Sequence, residues 1–208
     1  MSVLKKIKLV IGITGGSGVG KTTLINKLYN EFDGKITTLS LDNYYRPKEE
    51  QAIDDNGVIN FDLPTGLNTK QLEFDLNLLM ENKTVKQKVY TFNNPDKADD
   101  FLLIEPNEIL IVEGLFVMHY PFVKSKLNYS VYLSVDRDQQ LKRRLKRDMT
   151  ERNYTKESII YQWHNHVIPS YDNFVRPYKK ESDLIITNDL DFCDNIHVLS
   201  EVIHSKID

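Results

Sequence analysis

Cysteine is nearly absent: Cys193 is the only one in 208 residues. No disulfide can close within the chain, so its stability must come from a packed core, and a reducing, cytoplasmic setting is expected. Cys193 itself reads as a small buried apolar residue. Long hydrophobic runs are also missing. The apolar stretch Leu9 to Ile13 is interrupted by Gly12 and is too short for a signal-peptide core or a membrane span, so a soluble protein with no membrane partner is expected. No charge of one sign dominates, with 27 Lys and Arg against 30 Asp and Glu, which points to no polyanionic partner. Repeats, low-complexity segments and linkers are lacking too, so residues 1–208 read as one domain of ordinary globular composition.

What is present is an alternation of strands and helices. Lys8 to Ile13 reads as a buried strand running into a glycine-rich turn, and Thr22 to Phe32 has helical spacing at Leu24, Leu28 and Phe32. Ile36 to Leu41 is a second strand, ending at Asp42. Asn43 to Thr65, broken by Pro47, Gly57 and Pro64, reads as a substrate-side loop. Leu72, Leu76 and Leu79 mark a helix within Leu67 to Met80. Thr84 to Phe92 and Phe101 to Ile104 read as a β-hairpin, an insertion over 84–104. Ile109 to Val112 and Ser130 to Val135 read as parallel core strands. A basic helix follows from Arg137, with Leu141, Leu145 and Met149 on the stripe expected to pack inward. A second helix, through Trp163 and Val167, should bend at Pro169. Leu184 to Ile186 and Phe192 to Ile203 read as the last strand and the closing helix.

Gly15, Gly16, Ser17, Gly18, Val19, Gly20, Lys21 and Thr22 match G-x-x-x-x-G-K-[ST], behind an apolar strand and ahead of a helix as that motif requires. The glycines let successive N–H groups curl around phosphate oxygens, and the helix adds its positive end. Lys21 would reach the β- and γ-phosphates, and Thr22 would offer its hydroxyl to Mg2+. With Thr23, and with Arg144 from the basic helix, these residues form the expected nucleotide-binding set for ATP or GTP. The plainer alternative is a glycine-rich turn beside a surface lysine. The fold expected is α/β: a P-loop NTPase three-layer sandwich with a five-stranded parallel sheet, a β-hairpin insertion on the substrate side and a helical lid over 137–155. Ligands belong at the carboxyl ends of such strands.

A P-loop does not by itself separate a kinase from a GTPase or an ATP-driven switch. Asn188 to Asp191 resembles a guanine reader only superficially, because the lysine is missing. No Asp-x-x-Gly follows a buried strand; Glu113-Gly114 stands there instead. An unpaired buried carboxylate costs several kcal/mol, so Glu113 is expected to bind magnesium or to orient an acceptor. Asp42 closes the second strand, where a kinase needs a base to take the proton of an alcohol; read alone, it is equally an Asx-turn cap. Arg137 to Arg152 carries seven basic and three acidic residues, which suits a lid over a triphosphate, with a solvated basic face as the alternative. Nucleic-acid binding is not expected from this helix, which lacks an aromatic platform. His164 and His166, two apart, cannot share a metal as i, i+4 histidines do.

Taken in order, the P-loop, Leu41-Asp42-Asn43-Tyr44-Tyr45, Asn60-Phe61-Asp62, Val89-Tyr90-Thr91-Phe92, Val112-Glu113-Gly114 and Lys146-Arg147-Asp148-Met149-Thr150-Glu151-Arg152 resemble the uridine kinase and phosphoribulokinase family of P-loop kinases. The resemblance implies ATP- or GTP-dependent phosphorylation of a primary hydroxyl, typically the ribose 5′-OH of uridine or cytidine. It implies Asp42 as general base, Tyr44 lining the sugar pocket, Asp62 on ribose hydroxyls, Tyr90 on the base, Glu113 and Gln162 on the substrate side, and Arg147 and Arg152 as lid arginines. Members of the family often form homo-oligomers. The chain departs from the pattern at Thr91 and Asn94-Pro95, where a pyrimidine-reading histidine is missing. It departs again at Arg152-Asn153-Tyr154, which replaces Arg-Gly-Arg, and at Leu63-Pro64-Thr65-Gly66. Phosphate-handling parts are therefore better kept than base-handling parts. Another small alcohol, such as nicotinamide riboside or a sugar phosphate, or a regulatory nucleotide-binding module, stays open as an alternative.

Overall fold

A computed structural model describes residues 6–91, 100–188 and 192–207. Strand β1 (Leu9–Gly15) is buried at every position, as a strand covered on both faces must be. Leu9, Ile11 and Ile13 meet Leu24 and Leu28 of helix α1 (Lys21–Glu31) on one face. Val10 points to the other, into a cluster with Leu72, Leu76 and Leu79 of α2 (Thr69–Met80). Burying those three leucines contributes roughly 6 kcal/mol, which holds against the sheet a helix that would be marginal alone.

The chain continues from α1 through β2 (Ile36–Ser40), a short antiparallel pair β3 (Ala52–Ile53) and β4 (Ile59–Asn60), α2, and a hairpin of β5 (Val85–Lys88) and β6 (Phe101–Ile104). Then come β7 (Ile109–Gly114), α3 (Pro121–Lys124), β8 (Tyr129–Ser134) and α4 (Arg137–Glu151). A helical run follows, α5 (Lys156–Gln162) and α6 (Ile168–Ser170), and the chain closes with β9 (Leu184–Thr187) and α7 (Phe192–Ile207). The five long strands make one parallel sheet in the order β2-β7-β1-β8-β9. Helices α1 and α7 cover one face and α2 the other. The expected five-stranded sandwich and its hairpin insertion are thus present, and the carboxyl ends of β1, β2 and β7 lie side by side. Most of the hairpin's expected turn, like Phe92 and the side chain of Cys193, lies outside the described residues.

Two local readings are corrected. The expected loop between Asn43 and Thr65 contains the β3–β4 pair and short 3-10 turns. Around Pro169, where a bend is expected, π-helical turns at Trp163–Val167 and Tyr171–Val175 flank α6, and the wider turns accommodate a residue with no N–H to donate. On α4 the inward face is Gln140, Arg144 and Asp148. Leu141 and Leu145 are only half-buried, and Met149 is 48% exposed. The helix packs over the phosphate loop rather than on the core, so polar residues turn inward and the apolar stripe does not.

Candidate active site

The phosphate loop starts where β1 ends. Gly18 and Gly20 hold φ of 79° and 102°, backbone that an L side chain rarely adopts, and this curl delivers the chain into α1. Side chains from elsewhere hold the loop's carbonyls. Gln140 donates Nε2–H to Ser17 O at 2.6 Å, Asn188 donates Nδ2–H to Val19 O at 2.6 Å, and Arg143 lies 3.5 Å from Gly18 O. Tied down this way, the loop borders one cavity of about 530 Å³ with Lys21, Thr22 and Thr23 in its wall. Lys21 donates Nζ–H to Gly15 O at 3.2 Å.

Two strand ends bring carboxylates to the same cavity. Ser40 caps the 3-10 turn Leu41–Tyr44 by accepting from the Asp42 N–H at 3.3 Å. It is Ser40, then, that serves as the local cap, while Asp42 lines the cavity together with Lys21. Glu113, at the end of β7, accepts a short hydrogen bond from Ser40 Oγ. Burial first, and then the neighbouring Asp42 carboxylate, raise the Glu113 carboxyl above its usual range, while Lys21 pulls it back.

Aromatic rings build the wall beside these acids. Tyr45 packs 5.4 Å from Tyr90 and 6.3 Å from Phe61, centroid to centroid, and all three rings line the cavity. Burial, with Asp42 and Asp62 nearby, holds the Tyr45 phenol well above its ordinary pKa. Tyr44, expected in the pocket, is turned away: it is buried beside α2, and its hydroxyl donates to Asp75 Oδ2 at 2.9 Å. A 3-10 turn advances about 120° per residue, so consecutive tyrosines cannot share a face, and Tyr45 takes the pocket position. Asn43 bridges the turn to the hairpin insertion, donating to Gln87 Oε1 at 2.8 Å and accepting from the Tyr90 N–H at 3.0 Å.

The far wall is basic. Arg144, Arg147 and Arg152 line the cavity with Asp148, Tyr154 and Gln162. Arg144 lies 3.9 Å from Asp62 and donates to Gln162 Oε1 at 3.3 Å, and Arg147 donates to Ser17 Oγ at 3.2 Å. Burial raises the Asp62 carboxyl, and Arg144 and then His166 lower it. His166, away from the cavity, is buried against Asp54 at 2.7 Å, and His164 is exposed.

The family model for the Phosphoribulokinase / Uridine kinase family matches residues 10–190. The chain belongs to this family. It is 35% identical over 182 residues to a uridine kinase of Limosilactobacillus reuteri (strain DSM 20016), covering 87% of this chain and 84% of that one. It is 34% identical over 179 residues to a uridine kinase of Alkaliphilus metalliredigens (strain QYMF), covering 86% of each. Its fold is similar to that of phosphoribulokinase from Rhodobacter spheroides, with a TM-score of 0.62, 15% identity, and 88% of this chain and 70% of that chain covered.

In this member of the phosphoribulokinase and uridine kinase family, the residues present fit a magnesium ion. Thr22, Glu113 and Asp42 border one cavity beside Lys21, and Glu113 sits close enough to Asp42 to feel its charge. Magnesium uses one or two carboxylates, water and substrate phosphates rather than an all-protein cage, so no cluster of three acidic, histidine or cysteine ligands is needed. Among the described residues, no helix is long and apolar enough to cross a membrane. Several lining residues were given no role from the sequence: Arg143 and Asn188 against the phosphate loop, Phe61 and Tyr45 in the aromatic wall, and Asp148 among the arginines. Phe61, Tyr45 and Asp148 stand inside the quoted family motifs but were given no role there, Asn188 was noted only in the run set aside as a superficial guanine reader, and Arg143 was counted only among the basic residues of its helix.

Proposed function

We propose that the chain transfers the γ-phosphoryl group of ATP or GTP to the primary hydroxyl of a small metabolite, the 5′-OH of a nucleoside such as uridine or cytidine. The observation that carries this reading is the shared cavity: Asp42 at the end of β2 and Lys21 of the phosphate loop border the same space. Asp42 accepts the acceptor's proton as the bond from oxygen to the γ-phosphorus forms and the bond to the β-phosphate oxygen breaks. Lys21, Arg147 and Arg152 offset charge on the transferring group, and Arg144 completes the basic wall. Thr22 and Glu113 would hold magnesium, which supplies charge neutralisation on the β,γ oxygens. Tyr45, Phe61 and Tyr90 offer flat apolar faces to a base, Asp62 and Gln162 offer hydrogen-bonding groups, and Tyr154 stands at the rim. The segment 137–155 acts as a lid and 84–104 as the substrate-side insertion of one kinase domain. A single cysteine in the chain suits a cytoplasmic enzyme.

The names of the relatives favour a nucleoside over a sugar phosphate or a nonturnover switch, and so does the aromatic wall. The decisive measurement is ADP release with each of a panel of nucleosides, sugars and sugar phosphates. Uridine or cytidine should accelerate release, and Asp42→Asn should lower that rate by about a hundredfold or more while ATP binding persists. Slow hydrolysis at one rate with every acceptor would refute the reading.

A further inference from the structure

Helix α4 buries a carboxylate in the most basic part of the chain. The Asp148 side chain is 2% exposed, and three guanidinium groups converge on it: Arg144 Nε at 3.2 Å, Arg147 Nε at 2.8 Å and Arg152 Nη1 at 3.3 Å. The Arg147 contact is an aligned hydrogen bond to Oδ1. All three arginines also line the cavity.

Three cations on adjoining turns would repel one another and splay toward water. One carboxylate at their centre reverses that preference while consuming only one of the three charges. Each guanidinium has five N–H donors in a rigid fork, so an arginine that gives one to Asp148 keeps others for the cavity. Arg147 already shows this division: its Nε donates to Asp148 and its Nη2 donates to Ser17 of the phosphate loop at 3.2 Å. The helical register adds a reason. Arg144, Asp148 and Arg152 are spaced i, i+4, i+8, so the carboxylate faces a guanidinium on the turn before and one on the turn after.

We propose that Asp148 is a positioning residue, holding Arg144, Arg147 and Arg152 in the arrangement that meets the transferring phosphoryl group. Its effect on the reaction passes through these arginines. This inference rests on the phosphotransfer reading above. It goes further by assigning the aim of the basic wall to a single buried side chain. Groups held in place before the reaction stabilise charge without reorganising as it develops, and a misplacement of about 1 Å can cost on the order of a hundredfold in rate.

The test compares wild type, Asp148→Asn and Asp148→Glu by three readouts: uridine-dependent ADP release, MgADP affinity by calorimetry, and solvent exchange of the Arg147 Nε–H by NMR. In Asp148→Asn, kcat should fall about tenfold to a hundredfold. The MgADP Kd should stay level or tighten, because a negative charge has left the cavity wall. The Arg147 Nε–H should exchange faster. Asp148→Glu keeps the charge that pairs with the arginines but moves the carboxylate; it should lose kcat with Kd unchanged, and it decides the matter where the asparagine variant fails to fold. A folded variant with kcat within about twofold of wild type, or with Kd weakened as much as kcat, would overturn the proposal. If wild type shows no acceptor-dependent release with uridine or any other acceptor of the panel, the kinase reading fails by itself. Asp148 is then judged on the Arg147 signal: faster exchange with Kd retained upholds it, and unchanged exchange overturns it.

Discussion

Glu113 ends β7 beside Asp42, and burial together with that neighbour raises its carboxyl above the usual 4.5. A raised carboxyl binds protons more tightly in the folded state than in the unfolded one. Its contribution to stability is therefore fully present below the unfolded pKa and is lost as pH rises through the folded value. Glu113→Gln removes that dependence and can still accept the Ser40 hydroxyl. The ligand-free variant should match wild type near about pH 4 and melt at a higher temperature near about pH 8, while losing kinase activity. Melting curves across that range check it, and a wild type that is the more stable at neutral pH would contradict it. Such an exchange of stability for function is common at active sites. At this scale the sequence was partly legible. The phosphate-loop spacing led to Lys21, strand ends to Asp42 and Glu113, and the family resemblance to Asp62 and Tyr90, and all of them border one cavity; the resemblance has a limit as well. It misassigned Tyr44, because which of two adjacent tyrosines faces inward depends on the 3-10 turn at Leu41–Tyr44, and spacing does not reveal that turn.

Helix α4 illustrates where an element's pattern misleads. Its packed face is Gln140, Arg144 and Asp148, while Leu141 and Leu145 are half-buried and Met149 is exposed, because the surface beneath it is a phosphate loop with carbonyls to satisfy. Gln140→Ala would leave the Ser17 carbonyl without its 2.6 Å donor, at about 2 kcal/mol. That lowers Tm by roughly 4–8 °C in a chain of this size and raises the KM for ATP. Met149→Gln, on the exposed side, should stay within about 0.5 kcal/mol of wild type. Were the leucine and methionine stripe the packed face, the two variants would rank the other way in a thermal melt. The sheet was legible for the opposite reason. Leu9 to Ile13, Ile109 to Val112 and Ser130 to Val135 are mostly apolar runs with no charged residue, and such runs belong to strands covered on both faces. The β3–β4 pair has two residues per strand, too few for any alternation to show.

For the molecule as a whole, charge is distributed unevenly. The chain carries a net charge of -3, yet its cavity gathers Lys21, Arg143, Arg144, Arg147 and Arg152 against Asp42, Asp62, Glu113 and Asp148. The carboxylates Asp42 and Glu113 come from the ends of β2 and β7 and the arginines from α4 and its cap, so a ligand that fills the space meets groups from both. Magnesium nucleotide at a hundredfold excess over its Kd stabilises the folded state by about 2.7 kcal/mol, an increase in Tm of roughly 5–11 °C. Acceptor and MgADP together should stabilise by more than the sum of their separate effects, because the first ligand prepays the ordering of arginines that the second also needs. Added salt should shrink the MgADP effect, as screening weakens the attraction of the basic wall for phosphate. Thermal melts with each ligand alone and with both, at low and high salt, read these outcomes directly. Simple additivity would mean that the strand-end wall and the α4 wall act as independent sites, and that no closure couples them.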